Sequence, residues 1–231
     1  MIVSINQPTY LPWLGYYDRI AASDLHIILD HVQFEKNSMT NRNKVRTSEG
    51  WTWLTVPVLS KGKFGDLEIT KLGISENTKW QKKHWNTIKG SYSKAPFFKE
   101  HSGFFETVYG KEWHKLAPLM EEISRYLLDA LSITTKMVRS SELASVKTKS
   151  DLILDLCIKV GATTYLSGFF GKDYLDIELF NAHGIHVQFQ DYQHPSYQQI
   201  HGEFLSHMSV IDLLFNEGLK SHEILTGGAV Q

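Results

Sequence analysis

Two short apolar runs at the start of the chain, joined by a segment that a proline opens, constrain its fold more than any other feature. Residues 2–5 (IVSI) stop at Asn6-Gln7-Pro8, where the proline removes the next ladder donor. Pro12 suits the first turn of a helix, and Leu14, Tyr17, Ile20 and Ala21 follow at nearly 3.6-residue spacing. The run Leu25-His26-Ile27-Ile28-Leu29-Asp30 is then almost continuously apolar, as a strand covered on both faces must be. Strand, helix and buried strand in this order predict a βαβ unit, and with it a parallel sheet.

The same alternation returns late in the chain. Lys136–Arg139 reads as a strand, and Ser150 as the cap of a helix carrying Leu152, Leu156 and Val160 up to Gly161. A short buried strand is expected at 163–166, a helix over 172–182 and a strand over 186–192. Ser209-Val210-Ile211-Asp212 fits a capping box for a last helix that leaves at Gly218. Between these ends, 51–58 alternates as a strand. Ser75 can cap a helix bearing Trp80, His84, Trp85 and Ile88. A stronger helical stripe, Leu116, Leu119, Met120, Ile123, Leu127 and Leu131, spans 113–131. The expected fold is α/β, an open mostly parallel sheet in Rossmann-like layers with a helical insertion. Residues 1–74 would form the N-terminal half, 75–132 the insertion, and 133–231 the C-terminal half completing one domain.

Composition excludes several classes of function. With 231 residues and 42% hydrophobic side chains the chain can bury a real core. Its 24 basic and 25 acidic side chains give a net charge of −1, so general nucleic-acid binding is not expected. No apolar run approaches the roughly 18–20 residues of a membrane span, and MIVSINQPTY has no basic signal-peptide start, which predicts a cytoplasmic protein. The single Cys157 rules out an internal disulfide and any multi-thiolate metal site. It lies on a helix stripe, and there is no G-x-S-x-G elbow, so covalent acyl-enzyme chemistry is disfavoured.

Four segments could hold chemistry. Gln7 and Tyr10 leave the first strand in a loop stiffened by Pro8 and Pro12, where open α/β sheets place their ligands. Lys36, Asn41, Arg42 and Asn43 crowd the polar stretch after Asp30, a set suited to phosphate or carboxylate. Ser167, Gly168, Lys172 and Tyr174 form a strand-to-helix turn that could face an anion, although it lacks P-loop spacing. His194 and His201 are candidate general bases, since imidazole titrates near neutrality. No metal is expected, because there is no H-E-x-x-H and neither 194/201 nor 201/207 is an i, i+4 pair.

QPTYLPWLGYYDRI, LDHVQFEKNSMTNRNKVRT, WLTVPV, SGFFGKDYLD and YQQIHGEFLSHMSVIDLLFNEG, in this order, resemble the WbqC-like family. The resemblance implies a transferase in bacterial surface-polysaccharide (O-antigen) precursor biosynthesis. Its expected reaction is N-acyl or aminoacyl transfer to the amino sugar of a nucleotide sugar, without a cofactor. On that expectation Lys36, Arg42 and Ser167-Gly168 hold phosphates, and Gln7 and Tyr10 orient the sugar. His194 or His201 takes the amine proton, and Asp30 orients the base or a sugar hydroxyl. Two alternatives stand beside it. One is an ATP-dependent nucleotidylyltransferase-like enzyme, although Trp13-Leu14-Gly15-Tyr16 occupies the place of the H-x-G-H signature and both histidines are absent. The other is a non-catalytic glycan-precursor-binding protein.

Overall fold

The computed structural model describes residues 1–60, 67–76 and 78–227. Five strands form an all-parallel sheet: β1 (Ile2–Asn6), β2 (Leu25–Ile28), β5 (Lys136–Arg139), β6 (Thr164–Ser167) and β7 (His186–Phe189). Their spatial order is β5-β2-β1-β6-β7, so successive sheet strands run 3-2-1-4-5 and the direction of winding reverses between β1 and β6. Val3 sits beside Leu25 on one side and Tyr165 on the other.

Strand alternation sorts β1 and β2 between two cores. Val3, Ile5, Leu25 and Ile27 pack with Leu152, Leu156 and Cys157 of α5 (Lys149–Val160) and with Phe180 of α6 (Ile177–Ala182). Ser4 and His26 face the other way as a fully buried pair, Ser4 Oγ lying 2.8 Å from His26 Nδ1. On that second side one core joins α1 (Leu14–Ala21), three consecutive helices α2 (Trp80–Tyr92), α3 (Phe98–Gly110) and α4 (Leu116–Ala130), and α7 (Val210–Glu217). The chain ends, among the described residues, with α8 (Ser221–Leu225). No helix among them is long and apolar enough to cross a membrane.

Several local expectations are corrected. The polar stretch read as a loop contains β3 (Arg42–Thr47), paired antiparallel with β4 (Gly50–Thr55) across a Ser48-Glu49 turn. Val45 and Leu54 point inward and are buried, while Arg42 and Lys44 lie on the opposite face across from Thr55 and Trp53. Arg46, across from Trp51, is itself buried, its guanidinium donating to the Thr47, Gly50, His201 and Glu203 carbonyls. The cations lie on the indoles, Arg42 at 4.5 Å from the Trp53 ring centre and Lys44 at 4.6 Å from that of Trp51. α3 has no counterpart in the sequence reading, because Gly103, Thr107 and Gly110 dilute its helical propensity. Ser75 does not cap α2, which begins five residues later at Trp80. Thr148, not Ser150, is the N-cap of α5, and Ser150 Oγ instead accepts the Asp176 N–H at 2.9 Å. The helix expected over 172–182 divides into a tight turn at Phe169–Asp173 and α6, capped by the Asp176 carboxylate on the Leu179 N–H.

Ser209 caps α7, but Asp212 does not close a capping box. Its carboxylate is fully buried and accepts from Tyr92 Oη and Tyr197 Oη at 2.8 Å each and from Gln199 Nε2 at 2.7 Å. Burial raises its pKa above the usual carboxylate value, and these three hydrogen bonds oppose the shift.

Candidate functional site

Polar residues stand where three neighbouring strands end: Asn6 on β1, Ser167 on β6 and Gln190 directly after β7. Crossovers depart in opposite directions from β1 and β6, which leaves a crevice at their carboxyl ends. A cleft of about 410 Å³ opens there, built from both ends of the chain.

Arg19 of α1 reaches the floor of this cleft. Its Nη2 donates to Asn6 Oδ1 and its Nη1 to Gln190 Oε1 at 3.2 Å, while its Nε is buried without a partner. Gln190 in turn donates through Nε2 to Asp18 Oδ2 at 2.6 Å and to the Gly15 carbonyl at 3.0 Å. The amide thus stands between Arg19 and the neighbouring carboxylate. Among the described residues Arg19 forms no ion pair. Burial lowers the guanidinium pKa, with Tyr165, Tyr16 and Tyr174 acting against that shift, but an arginine remains cationic at neutral pH. Asp18 is pushed the other way: burial raises its pKa, against the Gln190 hydrogen bond and Arg19. Asn6 Nδ2 is buried and likewise makes no hydrogen bond. A cation and an amide donor held by neutral acceptors at a sheet crevice form an arrangement that an anion would complete.

The turn after β6 is fitted closely to this floor. A Cβ on Gly168 would lie 2.2 Å from Arg19 Nη1, and one on Gly171 would lie 2.0 Å from Ser167 Oγ. Above the floor the walls are aromatic: Trp13, Tyr165, Phe169, Phe170, Tyr174 and Tyr192. Asp191 is the carboxylate that lines the cleft.

Of the residues expected from sequence, Ser167, Gly168 and Tyr174 line this cleft. Lys172 is exposed on the same turn, with Nζ 4.8 Å from the Phe169 ring centre and 5.4 Å from that of Phe189. The others lie elsewhere. Gln7 is half-buried outside the cleft lining, and its carbonyl accepts from Thr9 Oγ1. Tyr10 is fully buried, its hydroxyl 2.8 Å from His84 Nδ1 and 2.5 Å from the Tyr109 hydroxyl. Lys36 is exposed. Asn41 donates to the Val56 carbonyl at 2.8 Å, Arg42 to the Asn37 carbonyl at 2.5 Å, and Asn43 Oδ1 accepts the Lys44 N–H at 2.8 Å. All three therefore serve the β3–β4 hairpin and its flanks. Asp30 borders a separate, much smaller cavity of about 50 Å³. It accepts from Ser140 Oγ at 3.0 Å and from the Ser141 N–H and Oγ at 2.9 and 2.8 Å, fastening the end of β2 to that of β5.

Neither candidate histidine lines the cleft. His194 Nδ1 is 2.8 Å from the Pro195 carbonyl, its Nε2 accepts the His207 N–H at 3.1 Å, and burial lowers its pKa. Its ring stacks on Trp13, one residue removed from the cleft. His201 Nε2 donates to the Ser91 carbonyl at 2.7 Å, and the His201 carbonyl accepts from Arg46 at 2.6 Å. Among the described residues no three His, Cys, Asp or Glu side chains converge as a metal set.

The sequence reading missed Asn6, Arg19, Gln190 and Asp191. One signal was available. Polar residues close several apolar strands in turn, and Arg19 lies off the Leu14–Tyr17–Ile20–Ala21 stripe of its own helix.

The model of the WbqC-like protein family matches residues 7–224. A Mycobacterium tuberculosis protein described as uncharacterized is 34% identical over 225 residues, which cover 96% of each chain. No solved structure gives a significant match. With a family match across nearly its whole length, the chain belongs to the WbqC-like protein family.

Proposed function

We propose that this protein is a transferase of bacterial surface-polysaccharide precursor biosynthesis that binds a nucleotide-activated amino sugar in the cleft between β1 and β6. The observation that carries this reading is Arg19, a cleft-floor guanidinium held by the amides of Asn6 and Gln190 and, among the described residues, by no carboxylate. A diphosphate supplies the missing negative charge. Aromatic walls suit the rings on either side of it. The transfer is N-acylation: the sugar amine attacks the donor carbonyl, a C–N bond forms, and the bond to the donor's leaving group breaks. The amine proton then passes to a base, and Asp191 is the cleft-lining group with that capacity. The polysaccharide context rests on family membership.

A second reading, a precursor-binding protein without chemistry, is favoured by one observation: His194 and His201 both lie outside the cleft, each engaged at a ring nitrogen. The two separate in one experiment. The protein is titrated with UDP-, dTDP- and GDP-linked amino sugars by calorimetry, then incubated with each ligand that binds plus acyl-CoA and aminoacyl donors, with products read by mass spectrometry. An acylated nucleotide sugar supports transfer, and saturable binding without product across the donors supports the second reading. Pyrophosphate release from ATP would point to nucleotidylyl transfer instead. No binding of any nucleotide sugar would sink the first two readings.

A further inference from the structure

Four aromatic side chains are exposed among the described residues: Trp51, Phe169, Phe170 and Tyr174. Trp51 has an evident reason, since Lys44 lies on its ring and Trp53 packs edge-on at 5.7 Å. The other three crowd the mouth of one cleft. Phe169 is 61% exposed and Phe170 76%, packed edge-on at 5.7 Å on the turn that leaves β6. Phe169 carries the Lys172 ammonium at 4.8 Å, whereas among the described residues no cation lies on Phe170, which packs on Phe169. Leaving so much apolar area in water forfeits the ~1.5–3 kcal/mol that burying a phenylalanine provides. Adjacent exposed rings at the rim of a polar-floored cleft are the features of a surface that a ligand covers.

The chemistry of the rim decides which part of the ligand that is. The cleft, of about 410 Å³, is within the ~300–1,000 Å³ typical of ligand sites. With a diphosphate on Arg19, a ring attached to it comes against the aromatic side chains that line the same cleft. Phenylalanine offers neither donor nor acceptor, so such a lip recognises a flat π-face and not a pattern of ring hydroxyls. We infer that Phe169 and Phe170 form a stacking lip for the nucleobase of a nucleoside diphosphate, giving the cleft affinity for the nucleotide half of its ligand with little discrimination among bases. The inference deepens the nucleotide-sugar reading and rests on it.

Calorimetry with UDP, GDP, inorganic pyrophosphate and glucose 1-phosphate tests it, on the wild type and on Phe170→Ala and Phe170→Trp. Phe170 is exposed enough that neither change disturbs the core. UDP and GDP should bind within a few-fold of each other, and both more tightly than pyrophosphate. Phe170→Ala should weaken both nucleotides about 5- to 150-fold, the range for losing one base-stacking ring. Pyrophosphate affinity should not move, and Phe170→Trp should restore nucleotide binding. Wild-type affinity for UDP that Phe170→Ala leaves intact overturns the lip while the anion site stands. An equal loss for glucose 1-phosphate places the sugar on the lip and also overturns the inference. If the wild type binds none of the four probes, the nucleotide-sugar reading fails and the inference falls with it.

Discussion

Two histidines buried on the same side of the sheet make this fold sensitive to mild acid. Burial lowers the pKa of His84 from 6.5 to about 4, against a backbone hydrogen bond to Thr55, and that of His26 from 6.5 to about 3. Both side chains are almost wholly enclosed, and each neutral ring has a partner, the Tyr10 hydroxyl for His84 and the Ser4 hydroxyl for His26. Since both values fall on folding, the unfolded chain binds more protons in this range. The stability they contribute is complete above pH 6.5 and is lost as pH falls towards the folded values. Each site adds a slope of up to ~1.4 kcal/mol per pH unit, for totals of about 3 kcal/mol from His84 and about 5 kcal/mol from His26. Together these rival the ~5–15 kcal/mol that holds a typical domain, so acid unfolding should be centred above the carboxylate range. Urea titrations at intervals from pH 7.5 to 4.5 measure the slope directly. His84→Asn keeps an acceptor for Tyr10 and does not titrate, so its slope should be shallower than the wild-type slope by up to ~1.4 kcal/mol per pH unit. Superimposable slopes for the two proteins would refute the argument that burial of His84 is what acid attacks.

Substitutions at three further positions probe the site and its support. Gly168→Ala places a methyl against Arg19 Nη1, so it should displace the guanidinium, costing ~1–3 kcal/mol in thermal unfolding and weakening UDP binding in calorimetry. Gln190→Glu sets a carboxylate on Arg19 in place of an amide oxygen, and the affinity for UDP should fall about tenfold or more while the fold persists by circular dichroism. Asp212→Ala strands two phenols and an amide without their shared acceptor. It should cost ~3–5 kcal/mol in urea unfolding, and Asp212→Asn, which retains one carbonyl, should cost less.

The parallel sheet was legible because β1 and β2 are short apolar runs, the first followed closely by Pro8 and the second entered after Ser23-Asp24, and α4 because its stripe is strictly periodic. α3 was hidden by its own glycines, and β3 by charged side chains that lie on tryptophans brought opposite only by the hairpin register. The site was legible on one side. Ser167, Gly168 and Tyr174 belong to a turn whose glycines advertise close approach, whereas Arg19 and Gln190 are 171 positions apart and meet only because β1 and β7 flank β6. Tyr10 misleads for a physical reason: a loop tyrosine between two prolines reads as a ligand wall, yet its hydroxyl is consumed by His84 and Tyr109 inside the core. Local sequence also cannot reveal that Asp212 serves Tyr92 and Tyr197, not its own helix.

The central claim is that Arg19 is the anion-binding centre of the molecule, and the affinity of Arg19→Met for UDP tests it most directly. Methionine keeps the apolar stem against the helix and removes the charge. The account predicts a folded variant whose affinity for UDP falls about 30-fold or more and loses most of its salt dependence. A folded Arg19→Met protein that binds UDP as tightly as the wild type, with the same dependence on salt, would contradict it.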